Sequence, residues 1–220
     1  MLGGLVRMEE IYPAEELQDK FEAEVTLEYY FMEDVDTIAK LEPNCLCEIG
    51  GNSWMHYIES GAKVNPRKLS KHFDSGNPFL FKEVEKVMKR KVLQDIMLVH
   101  AKVQDPELEN NICGQLLLAR VYPNNLHISD VEFSNPYEPV PENEKKHHFH
   151  EYRSLGLFAK LLVNIIAYGK KNRISNVTLS AASDHQIKYF KSHGFSIENN
   201  NFAKDALEHG VSIPMVRICI

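Results

Sequence analysis

The stretch from Glu151 to Phe195 constrains the fold of this chain more than any other part of the sequence. It opens with Arg153-Ser154-Leu155-Gly156, continues with apolar residues at helical spacing, and then has a run of β-forming residues. A second helical segment follows and ends at Gly194, a residue type that often terminates helices. The order loop, helix, strand, helix predicts a strand packed between two helices, which is typical of the α/β class.

The first helix of this stretch is the clearest in the sequence. Its apolar stripe consists of Phe158, Leu161, Leu162, Ile165 and Ile166. Ile174 to Ala182 then predicts a buried strand. Ser183, with Gln186 three residues later, has the spacing of a capping box and predicts the start of the second helix.

The sequence before this stretch contains several β-rich runs separated by short turns. Short turns between such runs predict an antiparallel meander, with strands at 96–103, 112–122 and 126–133. Residues 21–31 predict an earlier strand and residues 211–220 a last one. Gly114, inside the second meander run, indicates a bulge or a close approach of backbone or ligand.

The remaining segments give weaker signals. We expect short helices at 34–41 and from Asn77-Pro78 to about Lys91, because Asn is a good cap and Pro suits the first helical position. Residues 44–76 predict no definite element, and residues 134–150 predict a long exposed loop. Residues 1–20 form a tail or a short helix, and residues 21–220 a single domain.

The composition is that of an ordinary globular protein. The net charge of −6 gives no indication of binding to nucleic acid or to an anionic membrane. No apolar run approaches the roughly 20 residues that a membrane-spanning helix requires, and we find no export signal. We therefore expect a cytoplasmic protein whose four cysteines are free thiols.

The segment Arg153-x-x-Gly156 has the composition of an anion site. Backbone N–H groups at the start of a helix attract negative charge, and glycine lets a pyrophosphate approach the backbone. Many helices begin near a glycine, so this pattern alone is weak evidence.

In combination the motifs resemble the GNAT superfamily of N-acyltransferases. Residues 151–158 look like its acyl-CoA loop, and Tyr189-Phe190-Lys191-Ser192-His193-Gly194-Phe195 resembles its closing helix, particularly in the histone acetyltransferase branch. The resemblance covers residues 96–220. It implies a mixed, mostly antiparallel sheet flanked by helices, and transfer of an acetyl group from acetyl-CoA to a primary amine.

The resemblance also implies which residues bind the cosubstrate. The backbone of the acyl-CoA loop would hold the CoA pyrophosphate, and the strand end around Phe133 would pair with pantetheine. We add Ser183, at the start of the next helix, to this group. The cosubstrate-binding candidates are Phe133, Arg153, Ser154, Leu155, Gly156, Leu157, Phe158 and Ser183.

Attack of an amine on a thioester needs a base to remove the ammonium proton. In the family an acid on the fourth strand often serves, so Asp130 and Glu132 are the candidates. They fall on the same face of a regular strand, so their spacing does not choose between them. Two solvated carboxylates without a catalytic role remain the alternative.

Three features depart from the family pattern. Phe158 replaces a small residue of the loop motif and could crowd the phosphates. Phe190 stands where many members have a tyrosine that protonates the leaving thiolate, and we expect the adjacent Tyr189 to pack in the core. The 134–150 segment is longer than usual, so it could shape the acceptor site or disturb cosubstrate binding.

Other interpretations stay open. A metal site at His147-His148-x-His150-Glu151 or at Cys45-x-Cys47 is disfavoured, because neither has the usual ligand spacing. A catalytically degenerate module could bind acyl-CoA or a protein partner, and a third variant would lose CoA and keep a structural role. The acceptor could be a small molecule or a protein, and a homodimer is compatible with the sequence.

Overall fold

The computed structural model describes residues 8–145, 150–210 and 212–219. Within these ranges the chain forms one mixed sheet with helices on both faces, and this confirms the expected fold class. The strands are β1 (Val25–Tyr30), β2 (Leu93–Val103), β3 (Ile112–Val121), β4 (Asn125–Pro139), β5 (Tyr152–Ser154), β6 (Asn176–Ala181), β7 (Ser196–Ile197) and β8 (Ile213–Ile218).

The helices connect and cover these strands. The α-helices are α1 (Ala14–Gln18), α2 (Val35–Leu41), α3 (Pro43–Glu59), α4 (Ser70–Asp74), α5 (Leu80–Met88), α6 (Phe158–Lys171), α7 (Asp184–Ser192) and α8 (Asn201–His209). Short 3-10 turns span Met8–Ile11, Met32–Asp34, Pro66–Leu69 and Glu142–Glu144.

The sheet has the order β1-β2-β3-β4-β6-β8-β7, and β5 pairs with the far end of β4. The β2, β3 and β4 strands form the predicted antiparallel meander, and β1 pairs antiparallel with β2. The β4 and β6 strands run parallel over only four residues each, 125–128 and 176–179. This short parallel pair joins the meander to the carboxyl-terminal strands.

Each face of the meander buries its own core. On β3, Leu116 and Leu118 face a core that includes α6, whereas Leu117 and Ala119 face a second core beneath α3 and α5. A strand covered on both faces reads as a nearly continuous apolar run, as β3 does.

The amino-terminal segment is part of the main core. Ile11, Tyr12 and Leu17 are buried there, so the described residues 8–18 form the short helical alternative rather than a free tail. A Cβ atom at Gly114 would collide with the Tyr12 hydroxyl. The predicted bulge is adjacent, because Ala101 pairs with Gly114 and Lys102 with Ile112, which leaves Cys113 as an extra residue. The group that approaches Gly114 closely is a side chain, and not the predicted backbone or ligand.

The largest helix missed by the sequence analysis is α3. Its glycines suggested an irregular segment, but Gly50 is needed for packing, because a Cβ there would lie 2.6 Å from the Phe81 backbone nitrogen. A glycine inside a helix can thus let a second helix, here α5, approach closely. The α8 helix was also missed, although Asn200 caps its start and Gly210 ends it at a φ of +70°.

The predicted 134–150 loop is wrong over its first third. Ser134 to Pro139 continue β4, and this extension pairs with β5. Pairing with β5 satisfies backbone groups that a loop would leave to water. The prolines in this part of β4 are tolerated because it lies at the edge of the sheet. His147 and His148 lie outside the described residues.

Candidate functional site

An opening lies between β4 and β6. Their parallel pairing ends at Ile128 and Leu179, and pairing of β4 with β5 begins only at Ser134. The Phe133 carbonyl accepts a hydrogen bond from the Leu155 N–H at 2.9 Å. The edge of β4 over residues 129–132 therefore has neither neighbouring strand as a partner in the described part of the chain.

A bulge in β4 lies at this opening. Leu118 pairs with Ile128 and Leu117 pairs with Asp130, so Ser129 is an extra residue in β4. A bulge bends a strand and changes the direction of its side chains. The Ser129 hydroxyl donates to the Cys45 carbonyl at 3.3 Å, which ties the bulge to α3.

The candidate anion loop lies between β5 and α6. Gly156 has a φ of +71°, which favours glycine, and no atom lies within 4 Å of the position of a Cβ there. Its N–H donates to the Ser154 hydroxyl at 3.3 Å. Because α6 begins at Phe158, the N–H groups of its first turn lack helical acceptors, and the positive end of the helix dipole lies at the loop.

The Phe158 side chain does not crowd this loop. Its ring is buried, with centroid distances of 5.6 Å to Tyr189, 5.7 Å to Phe190 and 5.1 Å to His193. The expectation that Tyr189 packs in the core is wrong, since 47% of it is exposed, whereas Phe190 is buried. The helix α7 therefore turns Phe190, and not its neighbour, into the core.

The other cosubstrate candidates differ in their surroundings. Arg153 forms an exposed ion pair with Glu144 at 2.7 Å, while Leu155 is half-buried and Leu157 is buried. Ser183 follows the carboxyl end of β6, but its side chain makes no capping bond; instead Gln186 accepts from the Ala182 N–H at 2.8 Å. The predicted capping box is therefore not formed, although α7 begins directly after Ser183 as expected.

Asp130 is part of a polar cluster beneath α3. The Gln115 Nε2 donates to Asp130 Oδ2 at 2.5 Å and to Glu42 Oε1 at 2.9 Å, so one amide bridges two carboxylates. Burial raises the pKa of Asp130, although the Gln115 hydrogen bond opposes this rise. Burial, together with the Asp130 charge, also raises the pKa of Glu42.

Two further groups complete this cluster. The Cys45 thiol donates to Glu42 Oε2 at 3.6 Å, and burial with the nearby carboxylates raises its pKa to about 12, so it stays a thiol. Burial lowers the pKa of His100, which keeps its imidazole neutral. A partly buried carboxylate with a raised pKa can accept a proton near neutral pH.

The structure separates the two predicted bases. Asp130 is half-buried and faces the cluster, whereas Glu132 is exposed. Glu42 and Gln115 were missed by the sequence analysis. A polar Gln115 between the apolar residues of β3 is a sequence signal, but nothing near Pro43 indicates that Glu42 reaches β3.

A second polar group lies deeper, between α3 and the parallel pair. His127 Nδ1 lies 3.0 Å from Thr178 Oγ1, and His127 Nε2 lies 4.0 Å from Glu48 Oε1. Nearby, His56 Nε2 lies 3.0 Å from Glu198 Oε2. These contacts connect the meander half of the sheet with its carboxyl-terminal half.

Two features are absent from the described residues. None of the helices there combines the length and apolar content needed to cross a membrane. No group of three or more histidine, cysteine, aspartate or glutamate residues in those ranges is placed to hold a metal ion.

The sequence matches no protein-family model and no curated protein. Similar solved structures include a GNAT-family acetyltransferase from Staphylococcus aureus Mu50, with 15% identity, a TM-score of 0.40, and coverage of 90% of this chain and 100% of that one. Another is the catalytic domain of a Tetrahymena histone acetyltransferase in complex with coenzyme A, with 11% identity, a TM-score of 0.35, and coverage of 91% and 96%.

A third similar structure is a proposed streptothricin acetyltransferase from Bacillus anthracis strain Ames in complex with acetyl-CoA. It has 18% identity and a TM-score of 0.35, and the match covers 56% of this chain and 62% of that one. The chain likewise spans 66% of nourseothricin acetyltransferase. Many of the similar structures are thus acetyltransferases, the class that the sequence motifs resemble. At these TM-scores the similarities say nothing further about this chain's reaction.

Proposed function

We propose that this chain is a GNAT-type N-acetyltransferase that moves an acetyl group from acetyl-CoA to a primary amine. The observation that carries the proposal is the opening between β4 and β6, which has an unpaired strand edge and a half-buried acid, Asp130, on the adjoining bulge. A single opening of this kind can bring a thioester and a base together.

The pantetheine arm would bind along the open edge of β4. Phe133 directs its carbonyl to this edge, so Val131, two residues earlier, projects its N–H and carbonyl in the same direction. The pyrophosphate would lie at residues 153–158, where Gly156 leaves space and the first turn of α6 supplies N–H donors. The loop backbone, rather than the Arg153 side chain, would make the main contacts, because Glu144 already pairs with Arg153.

Asp130 would act as the base, directly or through water. It takes a proton from the ammonium group, and the free amine then attacks the thioester carbonyl carbon. A C–N bond forms and the C–S bond breaks, so the CoA sulfur leaves with the electron pair. The nitrogen loses a second proton, which water can carry to the leaving thiolate. A thiolate is a moderate base that water can protonate, so buried Phe190 does not prevent the reaction.

The test compares two conservative variants. Asp130→Asn should lower kcat at least about 100-fold across a panel of primary amines and leave the KM for acetyl-CoA unchanged, because it removes the base but keeps the volume. Glu132→Gln, at an exposed position on the same face, is the matched control and should keep most of the activity. Equal losses in both variants, or full activity of Asp130→Asn, would refute the role of Asp130.

One observation favours a second function, a module that binds acyl-CoA without turnover. Phe190 is buried where many family members have a tyrosine, so no phenol at that position can protonate the thiolate. This alternative predicts acetyl-CoA binding without acetylation of any amine in the panel. A cytoplasmic location and a homodimer stay predictions.

A further inference from the structure

A cavity of about 520 Å³ lies against α3, the helix that also covers the Asp130 cluster. It is bounded by α3, α4 and the start of α8. This volume falls within the roughly 300–1,000 Å³ range of small-molecule sites. The lining residues that matter for its chemistry are Glu48, Asn52, Trp54, Met55, Phe73 and Phe202.

The walls of the cavity are mostly apolar. Met55 and Phe73 are partly exposed and line it, Phe202 lines it from α8, and the Trp54 side chain is buried behind this surface. Aromatic walls stabilise a flat or branched apolar group through the hydrophobic effect and ring contacts. A ligand without an apolar body would leave these walls uncovered.

Glu48 gives the cavity a negative end. Its side chain is 31% exposed and contacts Asn52 Nδ2 at 3.4 Å, and none of the described lining residues is a lysine or arginine. Glu48 lies about one helical turn after Cys45 in α3, and the Cys45 carbonyl accepts a hydrogen bond from Ser129, the residue before Asp130. The charge of Glu48 also helps raise the pKa of Asp130. A cationic amine at this end would be attracted by Glu48 and would lie near Asp130.

We propose that this cavity is the acceptor site, and that the acceptor is a cationic primary amine with an aromatic or branched apolar body. Glu48 holds the ammonium group, and Met55, Phe73 and Phe202 hold the body. This inference extends the proposed acetyl transfer, and it rests on that reaction for identifying the bound amine as the acetyl acceptor. It disfavours polyamines, which lack such a body, and amino acids, whose carboxylate would face Glu48.

Trp54 is the single tryptophan of the chain, and its buried side chain borders the cavity, so its fluorescence should respond to a ligand bound against the neighbouring walls. The probe is 2-phenylethylamine, titrated in the absence of acetyl-CoA. The two comparison ligands are 2-phenylethanol, which lacks the charge, and phenylacetate, which reverses it. We expect saturable changes in emission, with the amine bound at least tenfold more tightly than the alcohol and phenylacetate bound most weakly.

Two variants test the two halves of the site. Glu48→Gln should weaken amine binding at least tenfold and leave 2-phenylethanol unchanged, whereas Phe73→Ala should weaken both ligands. Phe73 lies at a partly exposed position, so its truncation should preserve the fold. Glu59→Gln, an exposed acid on the same helix, is the matched control and should change neither affinity.

The outcomes separate this inference from the proposed function. An unchanged amine affinity in Glu48→Gln, or no saturable change in emission with any of the three ligands, would overturn the inference. If simple alkyl amines are acetylated but Trp54 emission does not change, the assignment of the cavity as the acceptor site is overturned and the proposed reaction stands. Amine binding at Trp54 without any acetylation would instead overturn the proposed reaction and leave an amine-binding cavity.

Discussion

At the scale of single residues, the account depends on the Gln115 amide between two carboxylates. Its hydrogen bonds favour the charged forms of Asp130 and Glu42, while burial favours the neutral forms. Burial is the larger effect for both carboxyls, so both pKa values lie above the ordinary range. The amide therefore limits how far the pKa of Asp130 can rise.

This balance gives a prediction for Gln115→Leu. The base acts when deprotonated, so kcat/KM should rise with pH through the pKa of Asp130. Loss of the Gln115 hydrogen bond should raise that pKa further and move the acid limb of the pH–rate profile to higher pH. The maximal kcat/KM at alkaline pH should be unchanged.

Gln104→Leu is the control for this variant. Gln104 donates to Thr26 on an exposed edge of the sheet, so its loss should leave the profile unchanged. An acid limb at the same pH in Gln115→Leu and in the wild type would contradict the assignment of that limb to Asp130.

Single residues also show how much of the candidate site the sequence predicts. Asp130 was a candidate, but a regular strand could not separate it from Glu132. The distinction depends on α3, which covers Asp130 and leaves Glu132 exposed. Because α3 was not predicted, neither was this difference in burial, and Glu42 was missed for the same reason.

At the scale of elements, the amino-terminal segment packs against β3 at Gly114. The Tyr12 hydroxyl is buried, has no hydrogen-bond partner in the described part of the chain, and lies against Gly114. Burial raises the pKa of this phenol well above its ordinary value, so it stays neutral. Packing, and not hydrogen bonding, therefore determines what this contact contributes.

Gly114→Ala should lower the free energy of unfolding by about 1–3 kcal/mol, because the added methyl group collides with the Tyr12 hydroxyl. Tyr12→Phe should change it by less than about 1 kcal/mol, since no described hydrogen bond is lost. The double variant should recover much of the loss, and chemical denaturation of all four proteins measures the coupling. Strictly additive effects would show that the two residues do not meet.

Elements with strong periodicity were predicted well, and those organised by long-range contacts were not. The α6 helix and the meander strands have clear apolar patterns. In α3, Gly50 reads locally as a helix breaker, although it makes room for α5. The extension of β4 past Ser134 depends on its pairing with β5, which no local pattern of that segment indicates.

At the scale of the whole molecule, the buried polar group between α3 and the parallel pair links stability to pH. Burial lowers the pKa of His127, despite the nearby carboxylates of Glu48 and Glu198. Burial also opposes ionisation of Glu198, but the hydrogen bond and charge of His56 outweigh it, so the pKa of Glu198 is lowered. The two effects operate in different pH windows, since an unperturbed histidine titrates near 6.5 and a glutamate near 4.3.

His127 should make the protein less stable as the pH falls below about 6.5, because the unfolded chain then binds a proton that the folded chain does not. One such proton changes the free energy of unfolding by up to about 1.4 kcal/mol per pH unit. His127→Gln should reduce the slope of stability against pH between about 6.5 and 5.5. Denaturant titrations at several pH values measure this slope, and an unchanged slope would contradict a neutral, buried His127.

The central claim, a cosubstrate site at the start of α6, is tested most directly by thermal unfolding with acetyl-CoA. A ligand at 100 times its Kd stabilises the folded state by about 2.7 kcal/mol, which in a chain of this size raises Tm by roughly 5–10 °C. Gly156→Leu should lose this rise. Gly210→Leu places the same residue at a nearly equal φ of +70°, with no atom within 4 Å of the Cβ position, and should keep it.

The account therefore predicts a large shift of Tm in the wild type and in Gly210→Leu, and little or none in Gly156→Leu. An equal shift in all three proteins would place acetyl-CoA elsewhere on the molecule. No shift of the wild type at millimolar acetyl-CoA would contradict the proposed reaction itself.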